Sequence, residues 1–280
     1  MIYIGRRNHL RVNKIVDFGV YLDAQALDNI LLPKRYVPEG CKIGDSITVF
    51  IYADSDDLLI ATTEIPKVMV GECALLEVLE TNKVGAFLDW GLPKDLLVPF
   101  NEQHKPMQAG NHYVVYVALD EHSDRIVASS RLSRHLDEYS HNDFKPKQAV
   151  ELLICGKSEL GFKAVINNTH LGLIYHDDVF QPLKYGQSIT GYIKEVRPDK
   201  KINLTLQLGG QRSRDDLTDK ILAHLRAQGG ISTITDASTP DVIYKTFHTS
   251  KKNYKKALGA LYKQRVISIE KHQVTLLSTD

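Results

Sequence analysis

The stretch VGAFLDWGLPKDLLVPF, Val84 to Phe100, repeats an earlier one. Sixty-six residues upstream the chain reads FGVYLD, Phe18 to Asp23, and then ILLPKRYVP, Ile30 to Pro38. Each passes through a glycine into an apolar, aromatic-bearing strand and then into a short strand that ends at proline. A third copy is weaker and is anchored on Gly161. Seven residues before Gly19, Gly85 and Gly161 stand Val12, Val78 and Ile154. Twenty-five residues after them stand Gly44, Gly110 and Gly186, and sixteen further on Ile60, Ile126 and Ile202. Fixed internal distances of this kind mark a repeat. They divide the chain into units at 1–65, 66–137 and 145–208.

Within each unit the pattern is that of strands. ITVFIYAD (Ile47–Asp54) and YVVYVALD (Tyr113–Asp120) are rich in β-branched and aromatic residues. Polar runs such as DSDD, DEHSD and RPDKK then read as hairpin loops before a last strand. Five strands in 60 to 70 residues close economically as a Greek-key barrel, which leaves no exposed sheet edge. After Gly209-Gly210, read as a hinge, the period becomes helical. Leu217, Ile221, Leu222 and Leu225 share one face, and Asp215, Asp216 and Asp219 supply negative charge to the first turn. Pro240 suits a first helical turn. Ser250 is an N-cap candidate for a helix whose apolar face is Tyr254, Ala257, Leu258, Leu261 and Tyr262. Two strands around Lys271-His272-Gln273 follow. Helix, short strand, helix, helix and hairpin is the order of a winged helix-turn-helix over 214–280. The fold class is therefore mainly β with a C-terminal α+β module: three tandem OB-type five-stranded barrels and a winged helix.

The residues carry a family resemblance. Phe18-Gly19-Val20-Tyr21-Leu22 fits the glycine-centred motif of S1 RNA-binding domains fully. Val84-Gly85-Ala86-Phe87-Leu88 fits it except at the first aromatic position. Leu160-Gly161-Phe162-Lys163-Ala164 keeps only the glycine, and Gly172-Leu173-Ile174 restores the middle motif. With LLPKRYVP and DRIVASS, the whole chain resembles the conserved virulence factor B, or YitL, family, whose members carry serial S1 domains and a winged helix. The resemblance implies a cytoplasmic, non-enzymatic protein that binds single-stranded RNA in post-transcriptional or virulence-type gene regulation. A duplex-DNA-reading transcription regulator and a docking scaffold for ribosome or RNA-decay proteins are the rivals.

Composition agrees with that class. The three cysteines, Cys41, Cys73 and Cys155, are far apart and fit a reducing compartment. No apolar run suits a membrane span or secretory signal. No metal or cofactor is expected: there is no phosphate loop, no metal-ligand spacing and no nucleophile arrangement. His135, His141 and Cys155 form no such set, and Tyr175-His176-Asp177-Asp178 reads as a polar connection. The net charge of +1 is unevenly spread. Residues 1–137 hold 14 basic and 19 acidic side chains, and residues 138–280 hold 21 and 15. A polyanion should favour the second half.

Single-stranded RNA is held by stacking on aromatics and by cations on phosphates. The S1 resemblance nominates Phe18 and Tyr21 in the first unit and Phe87 with Trp90 in the second. Arg125 and Arg131 flank the second unit's last strand. The third unit offers Lys163, Lys194, Arg197, Lys200 and Lys201, with Tyr175 and His176 at a position where S1 domains often carry histidine. Lys251, Lys252, Lys255 and Lys256 extend the basic track into the winged helix. The alternative for Phe18, Tyr21 and Phe87 is barrel packing, and for the lysines a solvated face.

Overall fold

The computed structural model describes residues 2–24, 29–120, 125–179, 182–207, 211–247 and 249–277, without the side chains of 177 and 211–216. The Gly209-Gly210 hinge, most of the DEHSD loop and the carboxylates of Asp215 and Asp216 lie outside the described residues. The chain forms two compact units, Met1–Asp137 and Glu138–Asp280, and each is described by itself.

The first unit holds two closed barrels. Barrel 1 is built from β1 (Arg7–Val16), β2 (Gly19–Asp23), β3 (Asn29–Pro33), β4 (Ser46–Ala53) and β5 (Leu59–Thr62) in the order β1-β2-β3-β5-β4. All neighbours are antiparallel except β3 and β5. Barrel 2 repeats that order with β6 (Cys73–Thr81), β7 (Gly85–Leu88), β8 (Leu96–Pro99), β9 (His112–Leu119) and β10 (Ile126–Ser129). In the second unit barrel 3 repeats it again with β11 (Ala149–Lys157), β12 (Gly161–Ile166), β13 (His170–Tyr175), β14 (Ser188–Val196) and β15 (Ile202–Thr205).

The repeated spacings acquire physical causes. Gly19, Gly85 and Gly161 each open a second strand. A Cβ there would stand 2.3, 2.2 and 2.0 Å from the carbonyl oxygens of Leu32, Val98 and Ile174. Only glycine lets the second and third strands approach so closely. Val12, Val78 and Ile154 are fully buried, and each immediately precedes a β-bulge in the first strand. Their carbonyls accept from the N–H of Gly44, Gly110 and Gly186 at 2.9, 2.7 and 2.7 Å. Those glycines have φ of +96°, +80° and +78°, a left-handed turn that other residues adopt at a cost.

The third spacing needs correction. Ile60 pairs with Leu31, whereas the structural equivalents that pair with Leu97 and Leu173 are Val127 and Asn203. Ile126 and Ile202 thus sit one residue earlier on the strand than Ile60. In barrel 3 a bulge between Ile193 and Glu195 in β14 takes up the extra residue.

Alternation fills each barrel from one side of every strand. Leu22, Leu88 and Ala164 point inward at equivalent positions and are fully buried. The cores of barrels 1 and 2 are not separate. Phe50 and Tyr52 of β4 pack edge-on against Trp90 of barrel 2, with ring centroids 5.7 and 6.3 Å away. Barrel 3 has its own core, closed by Phe144 against His170.

The C-terminal module runs α1 (Gln211–Ala227), β16 (Ile231–Ser232), α2 (Pro240–Phe247), α3 (Lys251–Lys263), β17 (Ile267–Ile269) and β18 (Val274–Leu276). The strands order as β16-β18-β17. This is the expected winged helix. Ser250 caps α3 by accepting from the Asn253 N–H at 3.2 Å, a contact worth about 1 kcal/mol. Tyr254, Ala257, Leu258 and Leu261 are buried as the helical period requires. Tyr262 is not on that face: it is 57 % exposed. It lies one step beyond Leu261, about 100° further round the helix.

Candidate nucleic-acid interface

Strand register sets four residues in a row across the outer face of each barrel. In barrel 1 the row is Lys14, Tyr21, Leu31 and Ile60. In barrel 2 it is Glu80, Phe87, Leu97 and Val127. In barrel 3 it is Gly156, Lys163, Leu173 and Asn203. The same backbone address therefore carries Tyr, Phe or Lys. Aromatics at this address meet solvent on one side, because their neighbours along the strand, such as Val20 and Leu22, occupy the inward face.

Barrel 1 presents an aromatic pair. Phe18, in the turn before β2, is 58 % exposed, and its ring meets the half-buried Tyr21 edge-on at 6.3 Å. Core packing does not require Phe18.

Barrel 2 differs in two respects. Trp90 is 3 % exposed, wedged among Phe50 and Tyr52, and its indole Nε1 donates to the Lys94 carbonyl at 2.6 Å. It is a core residue, which corrects its nomination as a stacking platform. Phe87 is half-buried and borders a groove of about 550 Å³ with Val84 and Leu97. Three carboxylates, Glu80, Asp95 and Asp57, line that groove together with Lys94 and Arg125. Burial, then the charges of Asp89 and Glu80, push the Asp95 carboxyl up. Arg125 is engaged by Asp57, which also holds Lys94 at 3.5 Å. Arg125 is therefore not a free cation. Arg131 is half-buried, and its Nε is buried without a hydrogen-bond partner.

Barrel 3 concentrates the cations. A groove of about 450 Å³ is lined by Lys163, Leu173, Arg197, Lys201 and Asn203, with Glu138 and Glu159 at its edge. Lys163 is exposed and makes no ion pair among the described residues. Arg197 lies 3.0 Å from Asp199 and donates to the Tyr175 hydroxyl at 3.5 Å, which ties the half-buried Tyr175 to the groove. Lys200 is exposed at the tip of the β14–β15 turn with φ of +65°. Lys194 is bound to Asp178 at 2.6 Å. His176 is exposed and meets Phe162 edge-on at 5.9 Å.

Two barrel 3 residues escape sequence reasoning: Phe162, packed against the core, and Asn203, in the groove. Phe162 stands one position before the vacated aromatic address, half-buried, with the Lys157 ammonium 5.9 Å from its ring. Asn203 is 6 % exposed and donates to Glu195 at 2.8 Å. A single apolar-to-polar change in the last strand was its only signal.

On α3, Lys252, Lys255 and Lys256 are exposed and Lys251 half-buried. Lys255 lies 3.4 Å from Asp236, and Lys251 donates to the Ala237 carbonyl at 3.3 Å. Lys252 and Lys256 have no ion pair among the described residues.

No group of three or more His, Cys, Asp or Glu is placed to hold a metal among the described residues, and no described helix is long and apolar enough to cross a membrane.

Comparison with known proteins agrees with this architecture. The S1 domain family matches residues 4–64, and the CvfB-like winged helix domain family matches residues 219–276. Conserved virulence factor B of Staphylococcus aureus (strain bovine RF122 / ET3-1) is 26 % identical over 242 residues, covering 84 % of this chain and 80 % of that protein. The protein YitL of Bacillus subtilis (strain 168) is 28 % identical over 272 residues, covering 92 % and 89 %. The crystal structure of a multidomain protein with nucleic acid binding domains from Streptococcus pneumoniae aligns over 98 % of both chains, with 23 % identity and a TM-score of 0.42. The resemblance first drawn from Phe18-Gly19-Val20-Tyr21-Leu22 and its copies thus extends over most of the chain. S1 barrels and winged helices are nucleic-acid-binding architectures, and nucleic-acid binding is the functional class they support.

Proposed function

We propose that this chain binds single-stranded RNA in the cytoplasm and acts in post-transcriptional or virulence-type gene regulation. The main grip is the barrel 3 groove together with the basic face of α3. The exposed Phe18–Tyr21 pair of barrel 1 adds base stacking. The observation that carries this reading is the cationic groove of barrel 3, where Lys163 replaces the aromatic of the other barrels and stands beside Arg197 and Lys201. Cations neutralise phosphates and supply most sequence-independent affinity. The relatives named conserved virulence factor B support the virulence part.

The test is a parallel titration of single-stranded RNA, single-stranded DNA and duplex DNA at two salt concentrations. Single-stranded RNA should bind tightest, and a Lys163→Gln/Lys201→Gln variant should bind it more weakly with a shallower salt dependence. Tighter binding of duplex DNA would replace this reading with that of a transcription regulator.

One observation favours a second role for barrel 2. Its groove joins Phe87 to Glu80 and Asp95, which have no ion pair among the described residues, while Asp57 there is matched by Lys94 and Arg125; the two unmatched carboxylates repel phosphate and suit a basic protein segment. Barrel 2 then docks a protein partner while barrel 3 holds RNA.

A further inference from the structure

Barrel 3 has lost the aromatic of its outer row to Lys163, yet an exposed ring stands beside its groove. Tyr139 belongs to the segment that enters barrel 3 and is 46 % exposed. The Lys201 ammonium, which lines the groove, lies 5.9 Å from the centre of its ring. The segment is fixed against the barrel. The Ser140 N–H donates to the Lys200 carbonyl at 2.9 Å, and the His141 N–H donates to Asp143 at 2.8 Å. Phe144 then seals the barrel core against His170. Glu138, the preceding residue, is itself part of the groove edge. The backbone next to Tyr139 is thus bonded to barrel 3, which sets the ring beside Lys201.

From this placement we infer that Tyr139 is the base-stacking platform of barrel 3, receiving one base of a single-stranded RNA whose phosphate sits on Lys201. The inference rests on the reading of the barrel 3 groove as the RNA grip. One sugar separates a nucleotide's phosphate from its base, so a phosphate on Lys201 leaves that base beside the Tyr139 ring. Stacking is sequence-tolerant because every base has a π-face. The ring restores from a connecting segment what β12 no longer provides.

The experiment compares full-length Tyr139→Ala, Tyr139→Leu and Tyr139→Phe for binding of a labelled single-stranded RNA across a salt series. The Ala and Leu variants should each lose roughly 5- to 150-fold in affinity. The Phe variant should bind as the parent does, and salt slopes should be unchanged because no phosphate contact is removed. The loss should shrink toward nothing when the RNA is replaced by an abasic oligomer of equal length. Parent-like binding by the Ala and Leu variants, while Lys163→Gln/Lys201→Gln weakens binding, would overturn the Tyr139 role and leave the barrel 3 grip standing. If the lysine variant also binds as the parent does, the groove reading falls and the inference falls with it. A flattened salt slope in Tyr139→Ala would show that the ring only positions Lys201.

Discussion

The two kinds of lysine on α3 allow a graded test of electrostatics. Lys252 and Lys256 are exposed and free of ion pairs among the described residues, while Lys255 is engaged by Asp236 and Lys251 by a backbone carbonyl. Glutamine has nearly the helix propensity of lysine, and the buried face of α3 is untouched, so Lys252→Gln/Lys256→Gln should leave the fold intact. Each phosphate contact with a single strand contributes about 0.7 to the slope of log affinity against log salt, so the free pair should flatten it by about 1.4. Over a fourfold change in salt that is a sevenfold difference or so. Lys251→Gln/Lys255→Gln should flatten it less, because Lys255 must first leave Asp236. That exposed ion pair is itself worth no more than about 1 kcal/mol. Fluorescence anisotropy of a labelled single-stranded RNA over a salt series measures both slopes. Equal slopes for the two double variants, or a larger effect from the engaged pair, would refute the distinction. No change in either would remove α3 from the phosphate contacts.

Gly85→Ala would set a carbon 2.2 Å from the Val98 carbonyl oxygen. Urea denaturation should show a loss of about 3 kcal/mol, and a neutral result would contradict the close approach of β7 and β8. Phe18→Ala should weaken RNA binding by roughly 1–3 kcal/mol with little change in melting temperature, since the ring is mostly in solvent; a fall in stability alone would make Phe18 a packing residue. Glu102 concerns pH. Burial raises its pKa, but hydrogen bonds from Ser129 and His135 and the charge of Arg134 outweigh this and leave it below its usual 4.5. A depressed carboxylate stabilises the fold above its unfolded pKa and loses that contribution as pH falls through the folded value. Glu102→Gln should therefore lower stability at neutral pH and converge with the parent in acid; a constant gap across the pH range would show that Glu102 does not govern the acid limb.

Much of the fold was legible because its constraints are local. Gly19, Gly85 and Gly161 are dictated by the contact of two adjacent strands, and Gly44, Gly110 and Gly186 by a turn bonded back to the first strand. Ser250 and the Tyr254–Leu261 stripe follow from helix geometry. What escaped depends on partners distant in sequence. Trp90 reads as a surface aromatic until Phe50 and Tyr52 of another barrel close over it. Arg125 reads as a free cation until Asp57 is brought beside it. The slip of Ile60 against Ile202 arises because counting from the turn glycine cannot see a bulge in β14. Tyr139 precedes the third repeat and lies outside every motif, so only the folded connection brings it to a groove.

The aromatic contact between β4 and Trp90 bears on how such a chain can be cut and inherited. The repeats are modular as text, but the first two are not modular as bodies. Severing the chain between Thr62 and Cys73 would bare Phe50 and Tyr52 on one piece and Trp90 on the other. An apolar patch of that kind promotes aggregation. The smallest N-terminal piece that should fold and remain in solution is the pair. Recombination that swaps barrel 1 or barrel 2 singly would have to replace a matched aromatic joint, so the two should be transmitted together even as their outer rows diverge.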